Sequence, residues 1–333
     1  MVPNARFTEL LKDVEPSPTT TNGASKAHRA VRDHLAKHKD FKERHISDFL
    51  AGSYARDTAI RPKTSEDGVE RPDVDIIVVT NFTTSDDPDD VLQELSDALD
   101  DEFTVERINK RSVRLSTASA EIDVVPVNQW GTAYQLPDRD LKGWKATNPP
   151  GHIDWSEKEN KAFSGRFKPL VKMLKWWRRE NPTSGKRPKG FVMEVLVSLH
   201  APKDEKHFGE TFAKLLENIY NSYQYQATLG FKPTINDPSL LGGSDILSKV
   251  SITDWKSFLE KVRVHAGHAR KAQDTDDMEE ATRLWQKVFG SRFKATANPA
   301  KVANEATVAA PASAGLYTFP NAPVNPKTPR GFA

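Results

Sequence analysis

Hydrophobic and polar positions divide the chain into a first part that mixes strands with helices and a second part of helices alone. Residues 73–79 and 120–127 are short, apolar and β-branched, as buried strands are. Apolar residues at helical spacing fill the second part. The same patterns predict first-part helices at 25–44 and 84–102, further strands at 103–108 and 112–116, and second-part helices at 163–177, 190–200, 210–223, 253–272 and 276–289.

These elements predict an α+β protein of two lobes, one built on a mixed sheet and one helical. Residues 1–22 form an N-terminal segment with a short amphipathic helix, 23–155 the sheet lobe with a long first helix, and 156–294 the helical lobe. Residues 130–159 are rich in Pro and Gly and are expected to cross between the lobes as loop. Residues 295–333 are rich in Ala, Pro and Thr without a period, so a flexible tail is expected.

Composition excludes several classes of function. The chain has 333 residues, 37% of them hydrophobic and 28% charged, and a net charge of +2, which argues against wrapping of nucleic acid. It has no cysteine, which removes disulfides, thiol nucleophiles and zinc–thiolate sites. No apolar run reaches the 18 or so residues of a membrane span, and residues 1–6 do not resemble a signal peptide, so we expect a soluble cytoplasmic protein.

Three carboxylates interrupt the two apolar strands. Asp73 and Asp75 open the strand at 73–79 and point to the same side as Ile77, because strand side chains alternate. Asp123 lies within the second strand, where an unpaired charge is costly. An isolated Asp-x-Asp is more often a turn or solvated loop, but neighbouring strands would bring Asp123 beside the other two. Glu121 is expected to support the group or to face solvent.

Clustered carboxylates repel one another unless a cation lies between them. Oxygen-only ligands favour magnesium over zinc, so the sequence predicts a site for two Mg²⁺ ions, with Mn²⁺ as the alternative. Two metal ions about 3.5–4 Å apart can activate an attacking hydroxyl and stabilise a departing pyrophosphate. Gly52 and Ser53 precede the group, and a glycine lets the backbone approach a phosphate whose oxygens the following N–H groups and hydroxyl can bind.

The ordered set of Gly52-Ser53, Asp73-x-Asp75 and a later Asp123 resembles the nucleotidyltransferase fold of DNA polymerase beta. The stretches GSYARDTAI, PDVDIIVV and EIDVVPV more narrowly resemble the bacterial cGAS/DncV-like nucleotidyltransferases (CD-NTases), relatives of oligoadenylate synthase and cyclic GMP-AMP synthase. The motifs cover residues 49–127, and the helical features extend the likeness to about residue 290. The resemblance implies a polymerase beta-like protein with nucleoside triphosphates bound between its lobes.

The resemblance also nominates nucleotide contacts. Residues 158–189 carry eleven Lys or Arg against two Glu, which would favour a triphosphate. Within them LVKMLKWW resembles the family helix whose lysines contact the nucleotide, which indicates Lys175 and Lys172. The family often continues with a serine beside an aromatic residue that stacks on the base. Here the serine is missing, and Phe191 is expected either to stack on a purine or to belong to the core.

The function implied is Mg²⁺-dependent synthesis of a cyclic di- or trinucleotide, adenine-containing, from ATP with GTP or other nucleoside triphosphates as further candidates. By resemblance the product is a second messenger of CBASS antiphage defence that switches on a separate effector. A second hypothesis is transfer of a nucleotide to RNA, protein or a small molecule, since the basic stretch could follow an RNA backbone. A third is a binding module without catalysis, which loss of any of the three carboxylates would favour.

The end of the chain suggests one partner. Some CD-NTases are joined through their C-terminus to targets by a ubiquitin-ligase-like protein, and the tail ending at Ala333 resembles such ends. An ordinary frayed terminus is the alternative.

Overall fold

The computed structural model describes residues 1–65, 68–240 and 242–294. The chain divides into two compact units: one contains Pro16–Asp154, and the other combines Met1–Glu15 with the described residues from Trp155 to Lys294. The helices are α1 (Asn4–Val14), α2 (Pro18–Lys37), α3 (Gly52–Ala55), α4 (Pro88–Asp100), α5 (Pro149–Ala162), α6 (Phe167–Glu180), α7 (Gly190–His200), α8 (Phe208–Thr228), α9 (Ile252–Asp274) and α10 (Met278–Phe289). Across the described ranges, no helix has both the length and the apolar character needed to cross a bilayer.

The first unit is built on a mixed sheet, which confirms the predicted α+β class. The strands are β1 (His45–Ala51), β2 (Thr64–Ser65), β3 (Gly68–Val69), β4 (Asp73–Thr80), β5 (Val105–Ile108), β6 (Val113–Ser116), β7 (Glu121–Trp130), β8 (Ala133–Asp138) and β9 (Gly143–Thr147). The main sheet runs β1-β4-β7-β6-β5, with β8 paired to the end of β7 and β9 paired to β8. The pair β4–β7 is parallel and the others are antiparallel, and β2–β3 form a separate hairpin.

The alternation of β4 is as the sequence predicts. Val74, Ile76 and Val78 belong to one buried cluster, together with apolar residues of α2 and α4. Ile77 and Val79 belong to a second cluster on the opposite face, with residues of β1 and β7. Because side chains alternate along a strand, Asp73 and Asp75 lie on the face of this second cluster, at the end where β4 begins.

The long first helix differs from the prediction at both ends. It begins at Pro18, not at Ser25, because the Ser17 hydroxyl caps it by accepting a 3.1 Å hydrogen bond from the Thr20 N–H and Pro18 suits the first turn. It ends at Lys37, and the following His38 Nδ1 accepts a hydrogen bond from the Phe41 N–H. The helix α4 buries Val91, Leu92, Leu95, Ala98 and Leu99, the stripe that the sequence predicts.

Residues 130–159 are not the loop that their prolines and glycines suggested. They contain β8, β9 and the start of α5. Pro137 is tolerated because β8 leaves the main sheet and pairs in an outer hairpin, and Pro149 and Pro150 occupy the first turn of α5. A pattern of proline and glycine alone could not distinguish these positions from a loop.

The second unit is helical, as predicted, and has an aromatic core. Phe7 of α1 packs edge-on against Trp285 of α10 at 4.9 Å between ring centroids, and Trp285 stacks on Phe289. The N-terminal segment therefore packs with this unit through α1. The helix predicted from residue 163 begins at Phe167 instead, since Ser164 and Gly165 have positive φ angles that end the preceding turn.

Candidate active site

Asp75 and Asp123 are direct partners across the parallel strands β4 and β7, and Asp73 is the partner of Glu121 two residues earlier. Neighbouring strands lie about 4.8 Å apart, so the two strands present four carboxylates on one face within a short distance. Asp75 is largely enclosed, whereas 69% of the Asp73 side chain is exposed. The convergence of the three aspartates expected from the sequence is thus present in the strand register.

Gly52 fits closely against Asp75. Ala51 is the partner of Asp75 across β1 and β4, and Gly52 follows it with φ of +68°. A Cβ atom at residue 52 would lie 1.7 Å from Asp75 Oδ2. Position 52 therefore requires glycine both for its backbone conformation and for the space that the carboxylate occupies.

Ser53 lies in α3, directly after Gly52, and its side chain is partly exposed. Its carbonyl oxygen accepts a 3.0 Å hydrogen bond from the Thr58 N–H, which closes the turn after the short helix. Arg56 of the same turn is buried, and its charge lowers the pKa of Asp75. The Gly-Ser turn and Asp75 therefore form one local group.

Arg114 is a member of this group that sequence reasoning missed. It lies on β6 as the partner of Asp123. Its guanidinium donates to Asp123 Oδ2 at 2.5 Å, to Asp73 Oδ1 at 2.6 Å and to Glu121. Burial alone would lower the pKa of Arg114, but its bonds to Glu121 and Asp73 outweigh that effect and raise it above the usual value. The signal in the sequence is the short connection at residues 117–120, which makes β6 and β7 neighbours but does not fix the register that pairs Arg114 with Asp123.

The other oxygen of Asp123 is held by the turn between β5 and β6. Asn109 Nδ2 donates to Asp123 Oδ1 at 3.0 Å, and the Ser112 hydroxyl donates to the same atom at 2.9 Å. Asn109 falls between two predicted strands and Ser112 begins the second of them, but the sequence indicates no role for either. These donors fix the carboxylate plane of Asp123 relative to Asp75.

Asp75 is the carboxylate of this group whose pKa is raised. Burial and the charges of Asp123 and Asp73 together raise its pKa to about 6, against opposing effects of Arg56 and Arg114. A positive charge placed near Asp75 would therefore stabilise the ionised form of its carboxyl group.

The donor set suits a hard divalent cation. It is made of carboxylate oxygens alone, and both causes of the raised pKa of Asp75, burial first and then repulsion by Asp123 and Asp73, would be offset by such a cation. Within residues 1–65, 68–240 and 242–294, however, no three acidic or histidine side chains already surround a common point. Asp73 and Asp123 are turned onto Arg114 instead. Metal binding would therefore exchange some of the Arg114 contacts for metal contacts.

The two nominated lysines lie on α6 of the second unit and are buried. Lys172 Nζ donates to Glu15 at 2.8 Å, and Lys175 Nζ donates to Glu194 at the same distance. Both amines thus make ion pairs within their own unit. Phe191 on α7 is partly buried and packs edge-on against Trp155, with 5.8 Å between the ring centroids. Whether Phe191 stacks on a purine or belongs to the core stays a prediction.

Comparison with known proteins bears on the whole chain. Residues 1–160 match the family model described as the Second Messenger Oligonucleotide or Dinucleotide Synthetase domain, SMODS. The chain is 44% identical over 340 residues to the cyclic AMP-AMP-AMP synthase of Acinetobacter sp., covering 100% of this chain and 98% of that protein.

Solved structures share the fold at low sequence identity. The structure of E. coli MS115-1 CdnC with ATP gives a TM-score of 0.69 at 18% identity, covering 88% of this chain and 99% of that one. The Bradyrhizobium diazoefficiens CD-NTase CdnG in complex with GTP gives 0.70 at 13% identity, covering 91% and 97%. These similarities extend the polymerase beta-like fold over both units.

Proposed function

Because this chain belongs to the CD-NTase family and is a nucleotidyltransferase that makes a cyclic oligonucleotide, we propose that it joins three AMP units from ATP into cyclic AMP-AMP-AMP. The support for this product is the match to the Acinetobacter enzyme, which is 44% identical over essentially the full length of both chains. The adenine-containing product expected from the sequence agrees with that choice. ATP is then the only nucleotide substrate required.

Membership of the family implies a divalent metal cofactor, and we assign its ligands to Asp73, Asp75 and Asp123. The ion proposed is Mg²⁺, since carboxylate oxygens suit it and Mn²⁺ shares this preference. When bound, the metal supplies charge that stabilises the attacking ribose oxygen and the departing pyrophosphate. The observation that carries this assignment is the direct pairing of Asp75 with Asp123 across β4 and β7.

The chain's own residues prepare this edge of the sheet. Arg114 binds Asp73 and Asp123 and keeps their mutual repulsion tolerable before the metal is present. Gly52 leaves room for the Asp75 carboxylate, and the lack of a side chain at this residue allows a phosphate to approach its backbone. Ser53 offers a hydroxyl at the same turn for a phosphate oxygen.

A product assay tests the proposal. The purified chain is incubated with Mg²⁺ and each of the four nucleoside triphosphates singly and together, treated with phosphatase, and the products are identified by mass spectrometry and nuclease digestion. We expect a phosphatase-resistant ring of three AMP units from ATP alone. A product that requires GTP would refute the choice of nucleotide, and a product formed only with an RNA or protein acceptor would favour the transfer hypothesis.

The carboxylate assignment needs its own control. Asp75→Asn and Asp123→Asn should each abolish product, whereas Asp100→Asn, which removes an exposed carboxylate on α4, should leave the rate unchanged. Synthesis that continued in Asp123→Asn would show that the strand pairing does not serve the reaction.

The biological role proposed is that of a bacterial cytoplasmic enzyme of antiphage defence whose product binds a separate effector. Phage challenge of cells carrying the wild-type chain or Asp75→Asn tests it, with protection lost in the variant. The ubiquitin-ligase-like partner was predicted at Ala333, which lies outside the described residues, and it remains a prediction.

A further inference from the structure

Asp138 is a fully buried ionised carboxylate that lies outside the group described above. It ends β8, and none of its surface is exposed. Its Oδ2 accepts a hydrogen bond from Arg111 Nε at 2.7 Å and lies 2.5 Å from Arg111 Nη2, and Lys110 Nζ lies 3.4 Å from its Oδ1. Burial alone would raise the pKa of Asp138, but the bond and charge of Arg111 hold it below its usual range.

Both cations come from the turn between β5 and β6, which is residues 109–112. The backbone adds a further bond to this turn, since the Arg139 N–H donates to the Lys110 carbonyl oxygen at 3.1 Å. The turn itself is closed by the Asn109 N–H, which donates to the Ser112 carbonyl oxygen at 2.8 Å. The end of β8 therefore anchors the turn through two side chains and one backbone group.

The same turn holds Asp123. Asn109 Nδ2 and Ser112 Oγ both donate to Asp123 Oδ1, and Asn109 Nδ2 also lies 3.2 Å from Ser112 Oγ. Asp138 thus holds Lys110 and Arg111, the two central residues of the turn, and the turn's backbone connects them to Asn109 and Ser112, which hold Asp123. Displacement of the turn would withdraw two of the three donors that orient this carboxylate.

We propose that Asp138 is a positioning residue that fixes the orientation of Asp123 for divalent metal binding through the turn at 109–112. This inference rests on the proposed function of Asp123 as a metal ligand. Groups that orient a metal ligand from outside typically change metal affinity by about 10- to 100-fold when removed. Asp138→Asn keeps the size of the side chain but removes the charge that holds Arg111, so the turn loses its anchor.

The test measures Mn²⁺ binding to the full chain without nucleotide, by the electron paramagnetic resonance signal of free Mn²⁺. We expect Asp138→Asn and Ser112→Ala each to raise the Mn²⁺ dissociation constant about 10-fold. The double variant should be little worse than either single one, because both changes act through the same turn. Asp89→Asn is the matched control, since it removes a surface ion pair with Arg139, the residue after Asp138, and should leave binding unchanged.

The outcomes separate this inference from the proposed function. Asp123→Asn serves as the reference: if it leaves Mn²⁺ binding unchanged, the ligand assignment itself fails. If Asp123→Asn weakens binding but Asp138→Asn does not, or if the effects of Asp138→Asn and Ser112→Ala multiply independently, the positioning role is wrong. Should Asp138→Asn fail to fold, Arg111→Lys decides, because it keeps the buried charge paired but loses the two-pronged contact. Unchanged Mn²⁺ affinity in Arg111→Lys would overturn the proposal.

Discussion

Gly52 and Asp75 are fitted so closely that a single added methyl group at residue 52 would lie 1.7 Å from Asp75 Oδ2. The glycine of the Gly-Ser turn therefore has a defined task besides approach to phosphate: it makes room for the carboxylate that β4 presents beside Asp123. This relationship ties the first motif of the sequence to the second.

Gly52→Ala should displace either the turn or Asp75 and lower the rate of nucleotide synthesis by about 100-fold or more, because small misplacements of reacting groups have effects of this size. Gly131→Ala is the matched control. Gly131 also has a positive φ, of 58°, but an added Cβ would meet no atom within 4 Å. The Gly131→Ala variant should therefore lose about 1–2 kcal/mol of folding stability and keep its activity. Equal loss of activity in both variants would mean that backbone strain alone explains the effect.

Arg114→Ala should destabilise the metal-free protein by about 1–3 kcal/mol, since it removes hydrogen bonds between charged groups and leaves Asp73 and Asp123 unscreened. Urea unfolding in EDTA measures this loss. Added Mg²⁺ should restore more stability to Arg114→Ala than to the wild type, because the ion then supplies the missing positive charge. Arg139→Ala, which removes an exposed arginine of the same unit, should show the wild-type increment. Equal increments in all three proteins would contradict the idea that Arg114 and the metal share the carboxylates.

The acidic strands, the glycine turn and the apolar faces could be predicted from the sequence alone. The alternation of apolar side chains along a strand and its content of β-branched residues are local properties of the chain. The sequence could not supply the pairing of Arg114 with Asp123, which depends on the register of a third strand. Residues 109–111 fall between two predicted strands, yet the contacts of this turn with Asp138 depend on the hairpin of β8 and β9, which Pro137 made unrecognisable in the sequence. Tertiary contacts therefore decide which residues support the carboxylates.

Asp75→Asn should stabilise the metal-free protein at neutral pH. The folded-state pKa of Asp75 is about 6, above the ordinary aspartate value of 3.8, so the folded state binds more protons than the unfolded state between these values. Stability contributed by this group therefore falls as pH rises through that interval, and above pH 6 the ionised side chain carries a penalty of up to about 3 kcal/mol. Asn is never ionised and avoids this penalty.

Unfolding in EDTA at pH 4.0, 5.0, 6.0 and 7.5 tests this prediction. The stability advantage of Asp75→Asn should be largest at pH 7.5 and should vanish toward pH 4. Asp100→Asn should show no such trend, since Asp100 is exposed. An advantage that is independent of pH would mean that packing, and not the charge of Asp75, is responsible.

Lys175 and Glu194 form a buried ion pair with 2.8 Å between Nζ and Oε1, and 6% and 0% of their side chains are exposed. Lys175→Met should destabilise the protein by about 3–5 kcal/mol because it removes the lysine from a buried ion pair and leaves the Glu194 carboxylate buried. The double variant Lys175→Met/Glu194→Leu should regain most of this stability, since removing both charges restores an apolar neighbourhood.

The double variant then separates the two roles of this lysine. If Lys175 also contacts the nucleotide, the double variant should bind ATP about 10-fold more weakly than the wild type does. A loss of this size corresponds to one hydrogen bond to a charged group, worth about 1.5 kcal/mol. The ATP concentration dependence of synthesis measures this. Lys203→Met/Glu159→Leu removes a more exposed ion pair of the same unit and should leave the ATP dependence unchanged. If the Lys175→Met/Glu194→Leu variant shows the same ATP dependence as the wild type, Lys175 has a structural role only and does not bind the nucleotide.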